Sequence, residues 1–307
     1  MNRRTVLAGA VVIGLAASLL LLAGCEEEDV AGLFGAGNVT ASETEMLEVP
    51  ADLPLSLNVE SSNGALSVHG VDGVQTASVV VTTRSRGETL EEAQDRVDRI
   101  VYRVSQTGQQ LELIYRASEQ DDDVRRFSGV DFDVIVPMET RVNAETSNGA
   151  IEVTAIRGTI TLDTSNGDVD VRQSDGDLHA ETSNGRIEVV DFAGDIRADT
   201  SNGEVWIEDA TGLVDVETSN GSIHYSGVPA EGAGNRLRTS NGSITARVPS
   251  ASAILFEARV STGKIRTSLP LAGDTEGDEW SAALNPPTAT TFDLRTSNGS
   301  IRIEGIP

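Results

Sequence analysis

The side chains that could do chemistry are few in kind and repeat along the chain. Histidine occurs three times, at His69, His179 and His224. None of them has an acid and a nucleophile, or two further ligands, at a triad or zinc spacing, so exposed strand positions are expected for all three. Carboxylates are abundant, and they recur in columns. Asp163, Glu181, Asp199 and Glu217 are spaced by 18 residues, as are Glu152, Asp170 and Glu188. A glycosidase or lyase built on stacked strands works through one carboxylate pair or one basic residue on the outer face. A carboxylate that returns in every period reads as a surface pattern, and no catalytic residue is assigned.

Stacked at strand spacing, such carboxylates repel one another by about 1 kcal/mol or less in water. Divalent or monovalent cations are therefore expected to bind non-specifically and to stabilise the stack, with Asp163, Glu181, Asp199 and Glu217 as the weak cation-binding candidates. The glycine-aspartate nonapeptide of calcium-binding β-rolls is absent, and no loop gathers five or six oxygens. No defined metal site and no organic cofactor are expected. Trp206 takes an outward slot between Glu188 and His224 of the adjoining periods, where alternation calls for a polar residue. These three are the candidate surface contact, for a sugar or a protein. The competing reading is that Trp206 only covers a neighbouring side chain or packs under the cap.

One residue has a defined covalent chemistry. Two arginines, Arg3 and Arg4, precede an apolar run that ends in Leu22, Ala23, Gly24 and Cys25. Small residues ahead of a cysteine at the end of such a run resemble the bacterial lipobox, in which the thiol receives a diacylglycerol before cleavage. Cys25 is then the lipidated first residue of the mature chain, fixed to a membrane outside the cytoplasm. The alternative is an uncleaved membrane anchor, and the export route and the choice of inner or outer membrane stay open.

Composition agrees with export. Cys25 is the only cysteine, so the fold has no disulfide framework. The 307 residues carry 48 acidic and 23 basic side chains, for a net charge of -25, which excludes nucleic acid and anionic lipid surfaces as partners. The same acidity fits either cation binding or solubility in a saline exterior.

Stepping along the chain, Ser-Asn-Gly marks a repeat. Its asparagines are Asn148, Asn166, Asn184, Asn202 and Asn220 at steps of 18, then Asn241 after 21, and finally Asn298. An earlier copy has Asn63, and Thr262 takes the slot 21 residues after Asn241. An aliphatic residue follows each asparagine by three places, for example Ile151, Val169, Ile187 and Val205, and a second apolar position lies two further on. Gly158, Gly176, Gly194 and Gly212 open a second alternating run, so each period holds two strands and two turns. Asn-Gly takes positive φ readily, which accounts for the corner. A single period cannot bury its own apolar face, but stacked copies can.

The expected fold is all-β: a β-solenoid, a β-helix-like stack of two-strand rungs with the asparagines as an amide ladder. An antiparallel array of hairpins is the rival. The rungs after Asn220, longer by three residues, are expected to stack more loosely. Arg238, Arg259 and Arg295 replace the acids of earlier rungs, and this polarity fits head-to-tail self-association or a gradient with no partner.

Residues 1–24 are thus read as a signal, 25–47 as acylated cysteine and flexible tether, 48–140 as a strand-rich cap and 141–307 as repeats. The cap is expected to contain one short helix opened by Thr89 and Glu92, with Leu90, Ala93, Val97 and Ile100 on one helical face. The acidic stretch around Asp121–Asp123 reads as loop, and residues 271–287 as a loop or partial cover at the far end. The units ETSNGAIEV, DTSNGDVDV, ETSNGRIEV, DTSNGEVWI, ETSNGSIHY, RTSNGSITA and RTSNGSIRI, after a strand ending in proline, resemble the putative-adhesin family of β-strand-repeat proteins. That resemblance implies a cell-surface β-solenoid and carries over no catalytic residues. The expected function is a lipid-anchored, non-catalytic scaffold or adhesion-type module of the cell envelope, with a surface glycan or envelope protein as partner. A regulatory partner protein of the envelope and a polysaccharide-active enzyme are the alternatives.

Overall fold

A computed structural model describes residues 39–306, positions 52 and 233 aside. Cys25, the lipobox residues Leu22, Ala23 and Gly24, and the first part of the tether lie outside the described residues. The N-terminal region contains β1 (Val39–Pro50), β2 (Leu55–Asn63), β3 (Leu66–Val71), β4 (Thr76–Gly87) and α1 (Leu90–Arg99). It continues with β5 (Arg103–Thr107), β6 (Gln110–Tyr115), α2 (Asp122–Phe127) and β7 (Ser128–Pro137). The repeats follow as β8 (Thr140–Asn148), β9 (Ile151–Thr154), β10 (Ile160–Asn166), β11 (Val169–Thr182), β12 (Ile187–Thr200), β13 (Val205–Gly212) and β14 (Val214–Asn220). Then come β15 (Ile223–Pro229), β16 (Gly234–Asn241), β17 (Ile244–Pro249), β18 (Ile254–Thr262) and β19 (Ile265–Thr267). The chain closes with β20 (Ala272–Asp274), β21 (Glu279–Leu284), β22 (Thr290–Asn298) and β23 (Ile301–Ile306).

These strands build a β-solenoid with two ladders, one before and one after each Thr-Ser-Asn-Gly corner. The first ladder, face A, runs in space β6, β2, β8, β10, the second half of β11, the second half of β12, β14, β16, β22 and β18, all parallel. The second, face B, runs β7, β3, β9, the first halves of β11 and β12, β13, β15, β17, β23 and β19, again all parallel. Identical repeat positions face each other, as in Thr164 with Thr182 and Asn148 with Asn166. The hairpin array is thereby excluded. Among the described residues antiparallel pairs occur only at the ends, where β1, β4 and β7 cover face B and β5 with β6, or β18 with β20 and β21, cover face A. Covering these edges removes the row of open backbone groups to which further strands could add.

Alternation sets what is inside. Ile151, Val169, Ile187, Val205, Ile223, Ile244 and Ile301 stack in one buried column, and Val153, Val171, Val189, Ile207, Tyr225, Ala246 and Ile303 in the next. Each such aliphatic side chain contributes roughly 1.5–3 kcal/mol by leaving water, but only because the adjoining rung covers it.

The corner glycines are required for a reason other than the one the sequence indicates. Gly185 does not sit at positive φ; a Cβ placed on it would lie 1.8 Å from the carbonyl oxygen of Gly167 on the adjoining rung. Close approach of two backbones, not a left-handed turn, excludes a side chain here. Positive φ occurs at the other corner, at Ala155, Gln173, Asp191 and Asp209 with φ of 58°, 51°, 57° and 53°, followed by Gly176, Gly194 and Gly212.

Around the tight corner the polar groups are satisfied rung to rung. Thr164, Thr182, Thr200 and Thr218 are buried and donate their hydroxyls to the carbonyls of Gly149, Gly167, Gly185 and Gly203, at 3.0, 3.0, 3.2 and 3.1 Å. The side-chain amides form the expected ladder: Asn166, Asn184, Asn202, Asn220, Asn241 and Asn298 each donate to the preceding asparagine at 2.9–3.0 Å. Asn148 donates to Asn63 at 2.7 Å, and Asn63 ends the ladder on the Arg125 carbonyl at 3.2 Å.

Several expectations are corrected. Residues 39–47, assigned to the tether, are part of β1 and pair with β4, because Ala41 and Leu47 have a buried side to fill. The region 48–140 is not only cap: β2 and β3 form a complete rung lying directly against β8 and β9. It holds two helices, since Asp121 caps Val124 N at 3.1 Å and turns the acidic stretch into α2. In α1, Thr89 caps Glu92 N as expected and Ala93, Val97 and Ile100 are buried, but Leu90 in the first turn is 54% exposed. The three extra residues after Asn220 do not loosen the stack, for Thr218 still faces Thr239 and Asn220 faces Asn241. The extra length emerges before Gly234, and buried Asn235 ties three rungs by accepting from Val214 N (3.1 Å) and donating to Thr291 O (3.3 Å). Thr262 is not the neighbour of Asn241. Asn298 lies between them, facing Asn241 on one side and Thr262 on the other. Residues 271–287 are the partial cover, through β20 and β21.

Replacing Gly185 by Ala is expected to lower stability by about 3 kcal/mol, and Thr182 by Val by about 1 kcal/mol. Ser183→Ala, at the exposed tip between them, should change it by less than about 0.5 kcal/mol. Urea unfolding of the three variants gives the ranking directly.

Candidate surface site on face B

Face B presents two outward columns to solvent. The one containing the candidate contact reads, rung by rung, Glu152, Asp170, Glu188, Trp206, His224, Thr245, Arg302 and Arg266. Parallel pairing in register brings Glu188, Trp206 and His224 onto three consecutive rungs, as the 18-residue spacing predicts. Their contacts differ from a free platform. Trp206 and His224 have ring centroids 4.5 Å apart at an interplanar angle of 32°. The indole Nε1 reaches toward Glu208 Oε2 at 3.5 Å. The crevice beside the two rings, lined by Tyr225, Ser226, Thr245 and Arg247, holds about 10 Å³, room for one water at most. Trp206 therefore covers a neighbouring side chain while its own ring stays half-buried.

Glu188 is occupied as well. Arg172 spans Asp170 and Glu188 with contacts of 2.7 and 2.8 Å, and Arg186 approaches Glu188 at 3.5 Å. Neither arginine was singled out from sequence. The signal was the exchange of Thr154 for Arg172 in the second outward column, opposite Val190. The site thus has an ion-paired end at Asp170–Arg172–Glu188 and an aromatic end at Trp206–His224.

Burial pushes the His224 imidazole below its ordinary range, assisted by Arg247 and opposed by Glu204. The unfolded chain then takes up the proton first as pH falls from the usual histidine value of about 6.5. The stability contributed by neutral His224 is complete above that value and is lost as pH falls through the lower folded-state value. We expect the urea midpoint to fall between pH 7.5 and 5 by more in the native chain than in His224→Gln. Equal slopes would remove His224 as the responsible group.

Face A carries the charge ladder. Its outward column reads Glu60, Glu145, Asp163, Glu181, Asp199, Glu217, Arg238, Arg295 and Arg259, so the four candidate carboxylates do stand in one file. It is neutralised in part, in the middle as well as toward its ends. Arg116 holds Glu60 through two 2.6 Å contacts, which lower the Glu60 carboxyl below its ordinary range. Arg197 holds Asp199 at 3.0 Å, and Asp293 receives both Arg238 (2.5 Å) and Arg295 (2.7 Å). Glu145 stands beyond contact distance of Arg116, whose charge still reaches it through space. No three His, Cys, Asp or Glu side chains among the described residues converge as a metal set, for a file of parallel side chains spreads its oxygens along the axis. The histidines are likewise apart: His179 is on face A, 4.0 Å from Glu181, while His69 is exposed on β3 and His224 lies five rungs from it along face B.

Raising NaCl from about 0.01 to 1 M shortens the screening length from about 30 to 3 Å. With Glu145, Asp163 and Glu181 in file and a net charge of -25, the melting temperature should rise over that range, and by less in Glu181→Gln. A flat or falling curve would place the repulsion elsewhere.

The parallel ladders, the serial corner and the sequence that makes them are matched by a known family. The profile described as Toastrack DUF4097 covers residues 124–304, more than half of the chain. The chain belongs to this family. The resemblance read from the serial Thr-Ser-Asn-Gly units is borne out, and the Toastrack match begins in α2, runs through β7 and the complete repeat, and ends in β23. No curated protein matches the chain.

Among solved structures, one described as a putative cell adhesion protein from Clostridium sporogenes ATCC 15579 aligns over 87% of this chain and 100% of its own, at 9% identity and TM-score 0.28. A putative adhesin from Bacteroides fragilis NCTC 9343 aligns over 86% and 97%, at 10% and 0.33. A putative lipid binding protein from Parabacteroides distasonis ATCC 8503 aligns over 87% and 97%, at 13% and 0.35. At these identities and scores the alignments say nothing of what this Toastrack chain binds.

Proposed function

We propose that this Toastrack chain is a lipid-anchored protein of the cell envelope, held outside the cytoplasmic membrane through Cys25, and that it acts as a non-catalytic scaffold or adhesion-type binding module. The observation that supports it most is the interruption of face B. On a ladder whose neighbouring rungs present Asp170, Glu188, Thr245 and Arg302, the rungs between present Trp206 and His224 as one aromatic pair. Half-exposed aromatics flanked by charged and hydroxyl groups suit the apolar face and hydroxyl rim of a sugar, or a protein side chain. The contact surface is open rather than a cleft, which fits holding a partner better than turning over a substrate.

Two measurements test this reading. Cys25→Ser should move the protein from the membrane fraction to the soluble one, and persistence in the membrane would mean that the apolar segment is the anchor. The soluble Cys25→Ser chain should bind surface glycans or intact cells saturably, with Trp206→Ala weakening it about tenfold or more and no product released. Release of a cleaved glycan would contradict the non-catalytic reading.

A further inference from the structure

The order of rungs in space is not their order in the chain. Strands β22 and β23, residues 290–306, lie between the rung of β16 and β17 and the rung of β18 and β19, both of which precede them in sequence. The connection of residues 250–253 therefore carries the chain past one empty rung position, a span of about 9.6 Å at strand spacing. After building β18 to β21 the chain returns through residues 285–289 and fills the gap with its last segment.

The gap is a binding site with both walls made. On one wall Gly242 N and Ile244 N donate to Asn298 O (3.1 Å) and Ser300 O (2.9 Å). The same wall receives the Thr296 hydroxyl on Gly242 O (2.8 Å) and the Asn298 amide on Asn241 Oδ1 (2.9 Å). On the other wall Thr262 O and Lys264 O accept from Gly299 N (2.9 Å) and Ile301 N (3.0 Å). Selection within the slot comes from three groups. Phe292 lies 6.1 Å from Phe256 and meets Tyr225 edge-on at 5.4 Å, Asp293 receives Arg238 at 2.5 Å, and Glu304 receives Arg247 at 3.0 Å. None of these groups depends on the connection at 285–289 or on which molecule the rung comes from.

We propose that this slot is a strand-acceptor site that takes the C-terminal rung of a second copy of the chain, so that two molecules join by exchanging residues 290–306. Every neighbour that the rung has in its own chain is present, identical and in register in the other copy, so exchange needs no new contact. The short connection favours the intramolecular rung with an effective concentration on the order of 1 mM. Exchange thus becomes appreciable when chains fold close together, as molecules crowded on one surface would.

The test uses full-length chains with Cys25→Ser. One carries Thr245→Cys and the other Arg302→Cys; these positions face each other across β17 and β23, at a spacing that a disulfide spans. The two are unfolded, refolded together at about 0.1 mM, and oxidised only after refolding. Roughly a tenth of the chains should appear as a covalent heterodimer, and tenfold dilution should reduce that about tenfold. A partner carrying Ser183→Cys in place of Thr245→Cys, far from the slot, should give none. A single chain with both Thr245→Cys and Arg302→Cys should close an internal disulfide, showing that the pair is within reach. Absence of heterodimer at every concentration while that internal disulfide forms would overturn the proposal, as would equal heterodimer with the Ser183→Cys partner. Failure of the internal disulfide would overturn the slot itself.

Discussion

The tight backbone approach between rungs, at the corner glycines, is the constraint on which the rest depends. Gly167 and Gly185 come so near that no side chain fits between them, and the position of one rung along the strand direction is thereby fixed by the one before it. The buried threonine hydroxyl then finds the glycine carbonyl, and the asparagine amide finds its predecessor. A slip of one residue would turn every buried aliphatic outward. With no disulfide to hold the described fold, register rests on this corner and on the apolar columns it aligns.

Once register is fixed, the outer faces are lists of side chains in a set order, and function has to be written in that order. Face A changes from acids to arginines along its length, with ion pairs where the sign changes, at Asp215–Arg236 and Asp293–Arg238. Face B places one aromatic pair in a charged column. The ends are as specific as the middle: antiparallel strands cover both, and at both the chain departs from sequential stacking. The rung of β2 and β3 lies between strands that follow it, β6 and β7 outside and β8 and β9 inside, while the last rung is enclosed by two that precede it. This interleaving ties each cap into the stack through backbone hydrogen bonds, where a cap merely laid on the end would rest on side-chain contacts.

Much of the interior could be read directly. Period, strand pairs, buried columns, amide ladder and the acidic file on face A all follow from the 18-residue spacing and from alternation, because a local repeat imposes the same local answer on each rung. What lay beyond reach was whatever depends on which rung is next to which. Asn298 and Thr262 are both acceptable neighbours for Asn241 by sequence, since each stands between a serine and a glycine at the corner position of the repeat. The structure separates them through Phe292, Asp293 and Glu304, residues that carry no repeat signal. The corner glycine was rightly singled out but for conformational freedom, when its role is clearance. At the surface site the adjacency of Glu188, Trp206 and His224 was legible, whereas the Arg172 bridge and the closed stacking of the two rings depend on side-chain directions that alternation does not specify. The short helix after Asp121 was hidden by its acidic composition, which suits a helix N-terminus as well as a loop.

The most direct test of this account is a set of proton–proton contacts at the corners, measured by NMR. In the structure a Cβ placed on each corner glycine would meet the carbonyl of the neighbouring rung's glycine, and the amide nitrogen that follows lies 3.1 Å from that position for Gly185 (Asp168), 3.1 Å for Gly299 (Ser243) and 3.4 Å for Gly263 (Ser300). Hα-to-amide contacts across the corner should therefore link Gly185 to Asp168, Gly299 to Ser243 and Gly263 to Ser300, each pairing a glycine with the rung next to it in space. A contact from Gly263 to Ser243, with none from Gly299, would mean that rungs stack in chain order, and would contradict both the corner geometry and the acceptor slot.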